Sequence, residues 1–506
     1  MSLNTIEFLA FLLIGAVLYF LIPRRGKRVL LLILSVLFYL TWNIPNTALL
    51  LVSALLTYAL GILCGKSRRA DSGEHASGRG GRFFLILGLI LLLGELFFFK
   101  YLNFTVREAN TLIASLGGGF RLPAPVSGII VPLGVSFFVF QSIGYLVDVY
   151  RGKAEPEKNV INFLLFITFF PKIIQGPIER SDGFLKQIRT LEEDSRGKFD
   201  YQRVSGAMIT FLWGMFLKMV ISDRIAIVAD RVFGAYYLYG TVELALAAVC
   251  YAIQIYCDFA GYSAMAVGAA GIFGFELTEN FDCPYFSAST REFWRRWHIS
   301  LSSWFRDYVY IPLGGSRCSR WRKWLNVMIV MLVSGIWHGT GWNFLVWGLI
   351  HGFYQVMSDA LTPAREKLFR ACRARTDSVS HLIGKMLVTF VLIDLAWIFF
   401  RAESIAVAID YISRMFTRFD PWVLFDGSLL ALGLDQIEVN ILFFALLILL
   451  IVDLVQYRYK LRISKMLENQ SLWFRWGVII LLFTMVWVVG KYGPSFSSTS
   501  FIYQSF

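Results

Sequence analysis

The residues most able to do chemistry in this chain are three histidines in its apolar C-terminal half. His338 stands in LVSGIWHGTGWNFLVW between Gly335 and Gly339, while His298 and His351 stand in FWRRWHIS and GLIHGF. An imidazole near neutral pH can accept a proton from a hydroxyl and return it later, as a general base does. Group transfer to a hydroxyl is therefore one reaction that these side chains could perform.

The depth of His338 favours a functional role. If a helix begins near Trp324, His338 lies ~14 residues along it, or ~20 Å at 1.5 Å per residue. An ionisable side chain so deep in a bilayer is costly and by default indicates a functional site. Packing is the alternative, because Gly335 and Gly339 have the four-residue spacing of a close helix contact. Packing explains the glycines but not the histidine.

A cationic segment precedes His338. Arg295 and Arg296 lie between Trp294 and Trp297, inside an aromatic stretch rather than a solvated loop. Positive charge among aromatic side chains suits an anionic carrier such as the diphosphate of coenzyme A. Membrane topology alone accounts for part of the positive charge in this region. We predict that these four residues form a donor-binding site.

Composition defines the class of protein that must position these residues. Hydrophobic residues make up 57% of the 506 residues and charged residues 16%, against roughly half and a quarter in soluble domains. Apolar runs long enough to cross a bilayer recur along the chain. The net charge of +13 lies mostly in short loops between these runs, which indicates cytoplasmic loops and not nucleic-acid binding. Six cysteines without paired or metal-ligand spacing predict reduced thiols and no metal site.

The basic loops predict the topology. The first apolar run, Ile6–Ile22, has PRRGKR after it and no basic residue before it, unlike a secretory signal. Both termini are therefore predicted outside. The predicted cytoplasmic segments are Pro23–Arg28, Gly65–Arg82, Arg151–Arg203, the region up to Lys323, Thr362–Lys385 and Tyr457–Lys465. About twelve crossings of ~17–20 residues fit between them, near 5–22, 28–43, 46–64, 83–101, 130–150, 205–222, 243–260, 324–340, 342–358, 386–400, 439–456 and 472–490.

Two apolar stretches do not fit as crossings. Asn162–Pro177 and Phe286–Gly315 have cytoplasmic charge on both sides and are predicted to be re-entrant or interfacial. No convincing internal repeat is present, which weighs against inverted-repeat transporters. The expected fold is an all-α polytopic membrane protein. It would form a single domain over residues 1–506, with a catalytic core at 254–352 and an outward-facing tail at 491–506.

These motifs resemble those of the membrane-bound O-acyltransferase family. REFWRRWHISLSSWFRDYVYIPLGG followed by WHGTGWNFLVWGLIHG is similar to the family signature. YCDFAGYSAMAVG (Tyr256–Gly268) and ENFDCPYF (Glu279–Phe286) resemble the bacterial alginate O-acetyltransferase branch, to which teichoic-acid D-alanyltransferases are related. The resemblance is strongest from Gln254 to Gly352. It implies a ring of transmembrane helices around a thinned centre, where an extracellular funnel and a cytoplasmic donor tunnel meet at the catalytic histidine.

The resemblance also assigns residues. The invariant family histidine corresponds to His338, and the second family histidine, in the re-entrant element, corresponds to His298. The chain departs from the branch at Ala264, where an aspartate is common, so no role is expected for that carboxylate here. Asp258 lies nearby, where it could orient a partner or have a structural role.

The end of the chain offers a candidate acyl carrier. FIYQSF resembles the Phe-x-Tyr-x-x-Phe motif associated with acyl hand-over in the D-alanylation machinery. A phenol can carry an acyl group once a base removes its proton, which makes Tyr503 a candidate acyl relay. The alternative is an aromatic anchor at the membrane interface.

The resulting hypothesis is an O-acetyltransferase of the bacterial cytoplasmic membrane with no bound cofactor. It would pass acetyl from cytoplasmic acetyl-CoA to an exported, alginate-like polysaccharide or to an SGNH-type acetyltransferase partner. His338 would be the base, and His298 would assist near the donor. Two alternatives stay open. One is D-alanyl transfer to teichoic acid from a phosphopantetheinyl carrier protein, and the other is a proton-coupled transporter that uses His338 and Asp394.

Overall fold

The structure, a computed structural model, describes residues 1–70, 79–123, 131–193, 197–468 and 470–492. Its regular elements in these ranges are all helical, as the sequence predicts. The α-helices are α1 (Ile6–Leu21), α2 (Lys27–Leu40), α3 (Ile44–Ala70), α4 (Arg79–Leu96), α5 (Leu102–Ser115), α6 (Val135–Tyr150), α7 (Val160–Thr168), α8 (Ser181–Thr190), α9 (Tyr201–Met215), α10 (Asp223–Gly234), α11 (Thr241–Ile272), α12 (Thr290–Arg296), α13 (Ile299–Phe305), α14 (Arg320–His338), α15 (Trp342–Ala360), α16 (Thr362–Ala371), α17 (Val379–Arg401), α18 (Ile405–Thr417), α19 (Gln436–Tyr459), α20 (Ile463–Glu468) and α21 (Leu472–Val489).

Helices occupy the positions of all the predicted crossings, but not all of them are long and apolar enough to span a bilayer. In the described part of the chain, 7 helical segments meet both conditions. Helices α1, α2 and α6 are shorter, with 16, 14 and 16 residues. The predicted number of twelve crossings is therefore not confirmed, whereas a multi-pass membrane protein is. The spanning segments are Ile44–Ser67, Gly80–Ser115, Tyr201–Gly234, Thr241–Ile272, Val379–Arg401, Gln436–Tyr459 and Leu472–Val489.

The two apolar stretches that were predicted not to cross contain only short helices. In the first, α7 has 9 residues, a length of about 13 Å at 1.5 Å per residue. In the second, α12 and α13 have 7 residues each and are followed by a π-helical turn, Arg306–Tyr310. A helix must be ~30 Å long to cross the hydrocarbon core. None of these three helices does so alone.

The first compact unit comprises Met1–Val204 and Ala269–Thr278. Helices α3, α4 and α6 pack against one another within it. A Cβ added at Gly61 of α3 would lie 2.4 Å from the ring of Tyr145 on α6. The missing side chain therefore lets the aromatic ring fit against the α3 backbone, as small residues do in membrane helix packing.

The second compact unit comprises Ser205–Gly268 and Glu279–Phe506. A buried ion cluster lies in it, at the π-helical turn after α9. The Lys218 Nζ atom lies 2.8 Å from Asp223 Oδ1 and 2.7 Å from Asp258 Oδ1. Buried charges require partners of this kind. Asp258 thus connects α11 to this turn, which is a structural role.

Candidate active site

His338 is the last residue of α14 and is 2% exposed. Its helix packs closely against α15 through two glycines. A Cβ added at Gly335 would lie 2.4 Å from the backbone oxygen of Phe344, and one at Gly348 would lie 2.4 Å from that of Met331. The two helix backbones therefore touch, and any side chain at either glycine would push them apart. This contact sets the position of His338.

Both glycines of the predicted pair lie against α15. Gly335 meets Gly348 of α15, since a Cβ on Gly335 would be 3.4 Å from the Gly348 Cα atom. Gly339 follows the last residue of α14, and a Cβ added there would lie 2.2 Å from the ring of Phe344 on α15. A packing role thus accounts for both Gly335 and Gly339, as the alternative interpretation held. It leaves the histidine unexplained.

His298 lies at the break between α12 and α13 and is fully buried, with a left-handed backbone of φ 45° and ψ 56°. Such a backbone costs of order 1 kcal/mol for a residue other than glycine. Asn280 fixes the two residues after His298 by hydrogen bonds. Its backbone oxygen accepts from Ile299 N at 2.9 Å, and its Oδ1 atom accepts from Ser300 N at 3.3 Å and from Ser300 Oγ at 2.6 Å. Its Nδ2 atom donates to Ser263 Oγ at 3.1 Å. These bonds hold the strained conformation in place.

Trp337 brings the two predicted catalytic histidines into one aromatic cluster. Its ring centroid lies 6.0 Å from that of His298 and 4.9 Å from that of His338. His338 also meets Trp347 and Phe400 edge to face, at 5.0 and 5.5 Å. Electrostatic interactions are stronger in such apolar surroundings than in water, so a proton or charge here interacts strongly with its neighbours.

The third histidine joins the same cluster, although the sequence assigned it no role. His351 is fully buried, and its Nδ1 atom accepts a hydrogen bond from Trp294 Nε1 at 3.4 Å. Because Nδ1 is the acceptor, the neutral ring carries its proton on Nε2. The ring of His351 lies 4.8 Å from that of Trp347, which His338 also contacts.

A cavity of about 720 Å³ opens beside this cluster. Ile299, directly after His298, and the buried Ser334 both line it. Ser334 lies on α14 four residues before His338, so the cavity reaches within about one helical turn of that histidine. The cationic residues that line the cavity are Arg291, Arg295, Arg306 and Lys323.

The four residues predicted to bind a donor divide into two pairs. Trp294 and Arg295 line this cavity. Arg296 is instead bonded to carboxylates, donating to Glu292 Oε1 at 2.8 Å and lying 3.4 Å from an Asp282 oxygen. Trp297 is fully buried in aromatic packing, with its ring 5.3 Å from that of Phe293. Neither Arg296 nor Trp297 lines the cavity.

The cations of the cavity differ in how they are neutralised. Asp359, near the C-terminal end of α15, lies 3.4 Å from Arg291 and 3.1 Å from Lys323. The hydrogen bond from Trp324 Nε1 is the main cause that lowers the pKa of Asp359 to about 2, with Lys323 and Arg291 adding to it. Arg295 is exposed and has no ion pair within the described part of the chain. It is therefore the cavity arginine most available to an anion.

Two polar residues of the site were missed by the sequence interpretation. Asn280 stands in ENFDCPYF, where an amide close to several aromatic residues was a usable signal. Gln355 lines the cavity and lies four residues after His351, a spacing that places both on one helix face. Its buried Nε2 atom has no hydrogen-bond partner among the described residues. Tyr503 lies outside the described residues.

Comparison with known proteins identifies the family of this chain. A model described as MBOAT, membrane-bound O-acyltransferase family, matches residues 156–401, which include the three clustered histidines. The probable alginate O-acetylase AlgI of Pseudomonas aeruginosa is 36% identical over 90% of this chain and 82% of its own length. The chain belongs to the membrane-bound O-acyltransferase family. The family resemblance predicted from the motifs is thereby confirmed.

Two further relatives show how far the similarity extends. The peptidoglycan O-acetyltransferase of Helicobacter pylori is 31% identical over 80% of this chain and 78% of its own length. The teichoic acid D-alanyltransferase of Bacillus subtilis is 29% identical over 45% of this chain and 58% of its own length. Family membership makes this multi-pass chain a membrane O-acyltransferase, so the predicted enzyme class is also confirmed.

Proposed function

We propose that this membrane-bound O-acyltransferase transfers acetyl from acetyl-CoA to a hydroxyl of an extracytoplasmic polysaccharide, or to an SGNH-type partner that passes it on. The proposal rests on the cavity beside the histidines. Its lining includes the exposed Arg291, Arg295 and Arg306 and also the buried Ser334, one turn before His338. Guanidinium groups suit a coenzyme A diphosphate. The thioester would then extend towards the histidines.

The reaction needs a base and an environment with little water. The imidazole of His338 would accept the proton of the acceptor hydroxyl while its oxygen attacks the thioester carbonyl carbon. The tetrahedral intermediate would collapse with cleavage of the carbon–sulfur bond, and the coenzyme A thiolate would take up a proton. His298, against the same indole, would assist on the donor side. Both histidines are at most 2% exposed, which disfavours hydrolysis of the thioester.

The distribution of charges supports a proposed topology. The arginines of the cavity fit the positive-inside distribution, so the donor would enter from the cytoplasm and both termini would lie outside the cytoplasmic membrane. About twelve crossings around a thinned centre would let an extracellular funnel meet the donor tunnel at His338. Only the acetyl group would pass between the two sides. Tyr503 would then lie on the outer side, where it could act as an acyl relay.

The comparisons favour acetyl over D-alanyl transfer. The relatives named for O-acetyl transfer match 80–90% of this chain, whereas the teichoic acid D-alanyltransferase matches 45%. The O-acetyl relatives act on alginate or peptidoglycan according to their names, and a polysaccharide hydroxyl is common to both. We therefore propose a polysaccharide hydroxyl as the final acceptor.

A direct test uses the purified full-length protein in nanodiscs, with acetyl-CoA labelled in its acetyl group and a polysaccharide acceptor. We expect Arg295→Gln to raise the KM for acetyl-CoA about tenfold or more, because a hydrogen bond to a charged group contributes roughly 1.5–3 kcal/mol. The value of kcat should change little. Arg322→Gln is the matched control, since Arg322 is an exposed cation of α14 that does not line the cavity.

The same assay separates the alternatives. An unchanged KM in Arg295→Gln would remove this cavity as the donor site. Transfer from a D-alanyl carrier protein, with none from acetyl-CoA, would replace acetyl by D-alanyl transfer. Proton-coupled flux in proteoliposomes without any acyl transfer would instead support the transporter hypothesis, in which Asp394 takes part.

A further inference from the structure

A second cavity, of about 1400 Å³, lies among α15, α16 and α17. Its volume exceeds the ~300–1,000 Å³ that is usual for pockets that bind small molecules. The residues that line it have no part in the proposed acyl transfer. Much of its wall is apolar, formed by Phe353, Met357, Leu361, Leu368, Val388 and Leu392.

The apolar wall is exposed. Phe353, Leu361, Leu368 and Val388 are 55, 52, 59 and 62% exposed. Exposed apolar side chains of this extent would be unfavourable in water. However, α17 is one of the helices able to cross a membrane, and it supplies Val388 and Leu392 to the wall. The groove therefore lies where acyl chains surround the protein.

Three exposed cations stand at the polar end of the groove. Arg365 lies on α16, Arg375 lies between α16 and α17, and Lys385 lies two turns into α17. None of them has an ion pair with a carboxylate within the described part of the chain, in contrast to Arg291 and Lys323 of the first cavity, which share Asp359. The groove thus has three positive charges at one end, which favour the binding of an anionic ligand.

We infer that this groove binds an anionic phospholipid from the basic side of the membrane. The phosphate would lie among Arg365, Arg375 and Lys385, and the acyl chains would lie along Phe353 and Val388. An ammonium or guanidinium group next to an acyl-chain groove matches both parts of such a lipid, and membranes are negatively charged on the side where basic loops lie. A soluble phosphate would leave the apolar wall uncovered.

The inference does not depend on the acyl-transfer reaction, so its test measures lipid binding alone. The purified full-length protein is delipidated in a neutral detergent and titrated with phosphatidylglycerol or phosphatidylcholine, and bound lipid is counted by native mass spectrometry. We expect wild-type protein to bind phosphatidylglycerol at least tenfold more tightly than phosphatidylcholine. The combined variant Arg365→Gln/Arg375→Gln/Lys385→Gln should lose about a hundredfold in affinity for phosphatidylglycerol, since each cation near a membrane contributes a factor of about five.

A matched variant controls for the general loss of positive charge. Lys367→Gln/Arg370→Gln/Arg373→Gln removes the same charge from the same part of the chain, at exposed residues that do not line the groove. It should keep most of the affinity for phosphatidylglycerol. Equal affinity of the wild type for the two lipids would overturn the inference. This comparison uses the wild-type protein alone, so it does not depend on the folding of any variant. Equal losses in both triple variants, or displacement of the lipid by inorganic phosphate or coenzyme A, would overturn it as well.

Discussion

The two predicted catalytic histidines are held in position by opposite means. His298 has a strained left-handed backbone, and hydrogen bonds to Asn280 fix the residues after it. His338 ends a regular helix whose place is set by the contact of Gly335 with α15. One position thus depends on a few directional polar contacts, and the other depends on the packing of a whole helix.

This difference has a physical consequence. A lost hydrogen bond in apolar surroundings acts locally, because it leaves one polar group unsatisfied. A side chain inserted between two packed helices acts over the length of both, because close-packed backbones cannot yield at a single point. Changes near Gly335 should therefore affect the whole hairpin of α14 and α15, whereas changes at Asn280 should affect mainly the His298 segment.

Removal of an imidazole itself should have the largest effect. We expect His338→Ala, and also His338→Gln with its larger side chain, to lower kcat for acetyl transfer by about 10²–10⁴-fold, the usual contribution of a general base. Membrane abundance should stay near the wild-type level, because the ring lies at the end of its helix. Activity is measured with labelled acetyl-CoA and abundance by immunoblot. Substantial turnover by either variant at normal abundance would exclude His338 as the base.

The helix contact is tested by Gly335→Ala. The new Cβ would lie 2.4 Å from a backbone oxygen, so we expect a loss of about 3 kcal/mol in stability, the upper end of the range for overpacking. Gly384→Ala is the control, because a Cβ at this position in α17 meets nothing within 4 Å. Thermal unfolding in detergent compares the two. Equal unfolding temperatures would mean that the glycine contact does not position α14.

The polar anchor is tested by Asn280→Ala, with a smaller expected effect. The change removes the acceptor of Ser300 and the donor to Ser263, which should cost roughly 1–3 kcal/mol. Because Asn280 acts through the His298 segment, kcat should fall while the KM for acetyl-CoA stays close to normal. Asn440→Ala, at an exposed asparagine of α19, should change neither quantity. A wild-type kcat in Asn280→Ala would show that His298 needs no such anchor.

Much of the fold could be predicted because apolar length is a local property. Runs of apolar residues between basic loops predicted helices at the observed positions, and α12 and α13 fall in a stretch that was predicted not to cross. The number of crossings could not be predicted in this way, since α2 has only 14 residues, fewer than the ~20 that a crossing usually needs. Some helix boundaries also differ from the predicted ones. The crossing predicted at 83–101 belongs to a longer helical segment, Gly80–Ser115.

The sequence by itself determined the class of this protein, its chemically active residue types and its family, because composition, charge placement and motif spacing lie along the chain. Tertiary structure alone decided which side chains act together. Trp294 and Arg295 line the cavity while their neighbours Arg296 and Trp297 do not. Consecutive residues of a short helix point in different directions, and what each one meets is set by elements distant in sequence. The contact partners of Gly335 and of His298 were decided by the tertiary structure for the same reason.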